Sequence, residues 1–188
     1  SPMSQKILYS ADKFMMFPEH LQVLREGGLP APLHVRIKPM NHCNHACWYC
    51  AYRSDGLQLG EDMDLQDQIP AAKMFEIVQD LIAMQVKAVT FSGGGEPLLY
   101  KPLPEVVERL AAAGIRIGAL TNGSNLKGRV ADVFARWATW VRVSTNVWDD
   151  ASFASLRGGE AGGFTRLLRN MQAFSARGSR CVLGLSFI

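Results

Sequence analysis

No stretch of this 188-residue chain is apolar for long enough to span a bilayer. Nothing near its start sets a charged segment before an apolar one, as an export signal would. Lys and Arg never gather into the blocks that mark nucleic-acid binding, and the formal net charge is only +3. We therefore expect no membrane partner and no nucleic-acid patch. Repeats and low-complexity tracts are absent as well. Without an export signal the expected compartment is the cytoplasm. In that reducing environment, clustered cysteines serve metal binding or chemistry rather than disulfides. Hydrophobic residues make up 48% and charged residues 20%, the balance of one globular domain with a sizeable core.

What the chain does have is alternation. Five segments read as strands: 34–40 (HVRIKPM), 88–92 (AVTFS), 115–120 (IRIGAL), 141–147 (VRVSTNV) and 181–188 (CVLGLSFI). Helical periodicity lies between most of them. Residues 71–85 put Met74, Phe75, Val78, Leu81 and Ile82 on one face. Pro104 opens a second helix that Gly114 closes. A third runs from about Leu126, with Val130, Val133, Phe134 and Trp137 facing inward, and a fourth carries Phe164, Leu167, Leu168, Met171 and Phe174. Strands and helices in alternation predict an α/β fold of parallel βαβ units, as a barrel or an open sheet. The final strand stops in an apolar run, which reads as truncation after the fifth strand. Residues 1–33 read as an N-terminal extension, with Ser1-Pro2 before Met3 a cloning remnant, and 34–188 as a C-terminally incomplete core domain.

Three of the four cysteines crowd into residues 41–50, NHCNHACWYC, as Cys43, Cys47 and Cys50 in the pattern C-x3-C-x2-C. Thiolates are soft ligands that favour zinc and iron–sulfur clusters. A structural zinc site wants four closed ligands, and no second cysteine knuckle follows this one, although His42, His45 or His34 could complete a set. Three thiolates also suit a cubane cluster with one iron left open to a small ligand.

Other motifs follow the predicted strands. FSGGGEPLL (91–99) is a glycine-rich turn that lets backbone approach a ligand closely, with carbonyls and Glu96 as acceptors suited to an ammonium group. It lacks the Gly-Lys-Ser/Thr ending of a phosphate-binding loop. TNG (121–123) closes the third strand, and Ser144 stands near the end of the fourth, where barrel enzymes place functional side chains.

With these motifs in this order, residues 34–188 resemble the radical S-adenosylmethionine (SAM) enzymes. The resemblance implies a partial (β/α)6 TIM-type barrel and a [4Fe–4S] cluster held by Cys43, Cys47 and Cys50. It implies that Gly94, Gly95 and Glu96 bind the amino group of SAM and that Tyr49 lies beside the adenine. Thr121 and Ser144 would hydrogen-bond the SAM carboxylate or ribose. The implied reaction is reductive cleavage of SAM to a 5′-deoxyadenosyl radical that abstracts hydrogen from a peptide, sugar, nucleotide or cofactor precursor. A flavodoxin- or ferredoxin-like protein would supply the electron. Asn146 stands where many members carry Asp, which leaves one ribose or substrate contact open. The alternative is a non-catalytic iron–sulfur or zinc-binding scaffold.

The remaining candidates have plainer readings. Asp149 and Asp150 suit a helix N-terminus. Trp48 reads as packing, Arg157 as a surface arginine that could reach toward substrate, and Cys181 as a buried small hydrophobe.

Overall fold

The computed structural model describes residues 11–53, 61–158 and 161–187. Ser1-Pro2, Gly159 and Ile188, the last residue of the expected fifth strand, lie outside these. The chain divides into two compact units, Ser1–Pro32 and Leu33–Ile188. The first holds a 3-10 turn at Ala11–Met16 and helix α1 (Pro18–Arg25), which buries none of its residues. Among the described residues, no helix is long and apolar enough to cross a membrane.

The second unit is built on five strands: β1 (His34–Ile37), β2 (Ala88–Phe91), β3 (Arg116–Thr121), β4 (Trp140–Ser144) and β5 (Val182–Ser186). They form one open sheet in sequence order, every pair parallel. Between them run α2 (Ala71–Ala83), α3 (Leu103–Ala112), α4 (Gly128–Trp137), α5 (Asp150–Arg157) and α6 (Gly163–Ser175). This is the expected α/β fold, a partial barrel of five parallel strands.

Alternation along each strand separates two faces. In register, Ile37, Phe91, Ala119, Val141 and Leu183 lie side by side, and Phe91, Ala119 and Val141 are fully buried. Met74, Val78, Leu110, Phe134, Leu167 and Phe174 of the helices belong to the same apolar core. The other face carries Arg36, Thr90, Gly118, Arg142 and Ser144. Arg36 and Arg142 are exposed there. Gly118 is small because the Trp140 indole covers it; a Cβ would sit 2.3 Å from that ring.

Strand ends differ from the sequence reading where proline or a turn takes over. β1 stops at Ile37, ahead of Pro39, and Met40 makes an isolated antiparallel bridge to Gln68. Trp137, Ile82 and Leu168, read as inward-facing, are each about 40% exposed. The helical stripe is wider than the sheet can cover, and residues at its margin stay outside. Trp137 instead lies under the Arg136 guanidinium, 4.7 Å from its ring. Asp149 caps α5 by accepting from the Ser152 amide, in a reciprocal capping box. Cys181 is buried, as expected.

Candidate functional site

The carboxyl ends of β1 to β4 point to one rim, and every motif singled out above leaves from it. The loop after β1 carries Cys43, Cys47 and Cys50, all free and half-buried. It turns through the Cys50 amide, which donates to the Cys47 carbonyl, and then through the Arg53 amide, which donates to Cys50. Arg53 also donates to the carbonyls of His45, at 2.8 Å, and Cys43, at 3.3 Å.

Three neighbours hold this loop. From β2, the Gly95 amide donates to Met40 O and the Glu96 amide to His42 O, at 3.1 and 2.8 Å. Glycine is required at 95 because a Cβ would meet the His42 carbonyl oxygen at 2.0 Å. From β3, Asn122 donates to the Asn44 side chain at 2.9 Å, and its amide nitrogen stands 3.8 Å from the Cys43 sulfur. Gly123 there has φ +78, which glycine adopts without strain. From α5, the last carbonyls accept from the loop: Ala46 N–H to Arg157 O at 2.9 Å, and Trp48 N–H to Leu156 O at 3.4 Å. A helix C-terminus leaves such carbonyls without internal partners, so the loop and α5 satisfy each other.

Glu96 ties the rim together. Its Oε1 accepts from the Leu98 amide at 3.0 Å and the Thr121 hydroxyl at 2.6 Å, and its Oε2 accepts from the Asn122 amide at 2.7 Å. Burial pushes the Glu96 carboxyl up from its ordinary value, while the three donors pull the other way. Thr121 in turn accepts from the Gly123 amide.

Arg157 corrects the sequence reading of a surface arginine: it is 2% exposed. Its guanidinium donates to Ser144 O at 2.5 Å and lies 5.4 Å from the Phe153 ring, while Nε and one terminal nitrogen have no hydrogen-bond partner. A buried guanidinium with unused donors stands ready for an anionic group. Asn122 is the residue that sequence reasoning left out, although it lay within the quoted TNG. Arg157 was named, but as a surface residue, because nothing periodic marks its burial. Trp48 also departs from expectation, being 67% exposed. Its position on a turn held from behind by α5 sends the indole outward, edge-on to Tyr49. Tyr49 has a buried hydroxyl beside Asn146 and Cys47, and burial raises its pKa. Ser144 is half-buried, its hydroxyl 3.5 Å from that of Ser186.

The three histidines weighed as zinc ligands are differently placed, and His42 is exposed. His34 bonds Thr90 on the sheet, and His45 is buried edge-on against Phe153. Burial, then the Arg157 charge, lowers the His45 pKa to about 4. Among the described residues, no three His, Cys, Asp or Glu converge on a point that could hold one metal ion. A mononuclear zinc site needs ligands within about 2.0–2.3 Å of the ion. Three free thiols on one loop are the kind of donor set that a multi-iron cluster takes. Burial raises the Cys43 thiol, with the His45 amide acting against it, and a bound metal deprotonates such a thiol outright.

The sequence profile of the Radical SAM superfamily matches residues 37–188. The GTP 3′,8-cyclase of Synechococcus elongatus is 32% identical over 129 residues, covering 66% of this chain and 37% of the cyclase. The S-adenosylmethionine-dependent nucleotide dehydratase of Lacinutrix mariniflava is 28% identical over 108 residues, 57% of this chain and 22% of the dehydratase. Streptococcus suis SuiB bound to S-adenosylmethionine superposes with a TM-score of 0.67 at 18% identity, covering 93% of this chain and 40% of SuiB. Native anSMEcpe with bound AdoMet gives 0.63 at 20% identity, covering 81% and 44%. At these identities the solved structures speak for the fold alone. The chain thus spans little more than a third of the cyclase it matches. Profile, fold and the ordered cysteine, GGE and TNG loops agree: the chain belongs to the radical SAM superfamily, enzymes whose cofactors are SAM and a [4Fe–4S] cluster.

Proposed function

We propose that this chain is the cofactor-binding part of a hydrogen-abstracting radical SAM enzyme. Cys43, Cys47 and Cys50 hold three irons of the cluster. Gly94 and Gly95 offer backbone carbonyls to the amino group of SAM. Glu96 adds a remaining acceptor position, since a carboxylate takes about four hydrogen bonds and three are used here. Tyr49 flanks the adenine, and Thr121 and Ser144 face the carboxylate or ribose. We add Arg157, whose unused donors suit the SAM carboxylate. Bound together, cluster and SAM supply a one-electron cleavage that ends in hydrogen abstraction from substrate. The chain's own contribution is to fix these groups and keep water from them.

One observation carries this reading: Glu96 and Asn122, from two different strand ends, both bond to the loop that bears the cysteines. Anaerobic reconstitution with iron and sulfide tests it. About four irons and four sulfides per chain are expected, and Cys43→Ala, Cys47→Ala and Cys50→Ala should each lose them. A colourless protein that takes up zinc instead would overturn the assignment.

For the substrate we propose a nucleotide. Relatives named as a GTP cyclase and a nucleotide dehydratase support this class, as do the cationic Arg36 and Arg142 on the sheet face away from the helices. If GTP accelerates release of 5′-deoxyadenosine from SAM, the class stands; a rate indifferent to GTP counts against it. A flavodoxin- or ferredoxin-like protein is the electron donor this chemistry requires. The reducing cytoplasm is the compartment that suits free clustered thiols.

A further inference from the structure

Outside the cofactor rim, the described residues form a second feature with chemistry in it. A cavity of about 370 Å³ opens behind the cysteine loop, where the loop after β3 meets α6. None of the residues assigned above to cluster or SAM lines it. Its rim carries Lys127, Arg166 and Arg169, and neither Asp nor Glu is among its described lining residues. Its floor is the edge-on pair of His45 and Phe153, centroids 5.2 Å apart. A second cavity, of about 480 Å³, lies at the opposite ends of β2 and β3 and gathers no comparable set.

The amides around the first cavity are already committed. Asn44 donates to Ser124, Asn122 donates to Asn44, and Asn170 donates to the carbonyls of Gly123 and Ser124. They shape the wall and hold it rigid, leaving the cations to choose the occupant. Arg166 donates to Ala161 O and lies within reach of the Asp150 charge. Asp150 is itself engaged with Thr165, accepting from its amide and hydroxyl.

We propose that this cavity binds a phosphoryl group, as part of a phosphorylated small molecule or as inorganic phosphate. Three cations round one concave space create a field that concentrates anions. Guanidinium forks match phosphate oxygens two at a time, and the lysine adds a point charge. The volume is in the range that holds a small organic ligand. Because Asn44 and Asn122 are shared between cavity wall and cysteine loop, the bound anion sits one side chain away from Cys43.

The test is calorimetric titration of the full chain with pyrophosphate and, separately, with GTP, without SAM and without reductant. Saturable binding of either, weakened roughly tenfold or more in Lys127→Ala/Arg169→Ala and unchanged in Arg116→Ala, an exposed arginine at the opposite ends of β2 and β3, supports the proposal. Pyrophosphate and GTP binding alike identifies the phosphoryl group as what is read, whereas binding of GTP alone identifies an organic phosphate. No saturable binding of either overturns the proposal, as does pyrophosphate binding that survives the double variant or falls with Arg116→Ala. Both changed residues are exposed, so folding is spared. The titration needs no SAM cleavage, so its failure is separate from any failure of the radical SAM reading.

Discussion

The Thr121 hydroxyl donates to Glu96 Oε1 across 2.6 Å, joining the ends of two neighbouring strands through a fully buried carboxylate. Around this bond the GGE and TNG motifs become one structure, with Glu96 facing three donors.

Glu96→Gln should therefore destabilise the chain by about 1–3 kcal/mol. Whichever oxygen becomes the amide NH2, a backbone N–H, from Leu98 or from Asn122, loses its acceptor. Urea denaturation of the two proteins side by side measures the difference; equal midpoints and slopes would show that the carboxylate has no such role.

Gly94 and Gly95 should respond differently to alanine. At 95 the new methyl meets the backbone of His42 and Asn41, which cannot yield without moving the cysteine loop. At 94 it meets the Met63 sulfur at 2.9 Å and the Asn41 side chain at 3.0 Å, groups that can turn aside. Gly95→Ala is expected to cost about 1–3 kcal/mol and to lower iron uptake, and Gly94→Ala to cost less. Iron analysis after reconstitution and thermal melts of both variants check the order.

Arg157→Met keeps an unbranched, apolar part of the side chain and removes its charge. We expect the fold to persist, because Phe153 still has an apolar neighbour, while SAM binding weakens roughly tenfold or more through loss of a charged donor. Equilibrium dialysis with labelled SAM reads this directly. Unaltered affinity would make Arg157 a support for Ser144 alone.

Cys181 supplies a pH dependence. Burial pushes its thiol up from an ordinary value near 9 to about 11, so the folded chain keeps a proton that the unfolded chain gives up. Its contribution to stability is complete below about pH 9 and is lost as pH rises toward about 11. Cys181→Ala should flatten the alkaline slope of stability. Alkylation of the metal-free chain at about pH 8 should mark Cys43, Cys47 and Cys50 well before Cys181.

Much of this was legible in the sequence because strand alternation and glycine-bounded loops are local signals. Val89, Phe91, Val141 and Val143 announce buried strands, and a triplet of cysteines after the first strand points to soft metal chemistry. Arg157 was illegible for the opposite reason. It stands at the end of an eight-residue helix, and its burial depends on α5 docking against a loop more than a hundred residues earlier. Trp48 misled because aromatic bulk usually packs, yet hydrogen bonding of its backbone to α5 fixes the indole outward. Marginal helix residues such as Trp137 depend on how far the sheet extends, which periodicity does not encode.

Electron paramagnetic resonance of the anaerobically reconstituted, dithionite-reduced chain, with and without SAM, tests the central claim most directly. The expected result is a reduced-cluster signal whose shape changes when SAM is added, as an iron left open by a three-cysteine site requires. A cluster signal indifferent to SAM, or no cluster signal at all, would contradict it.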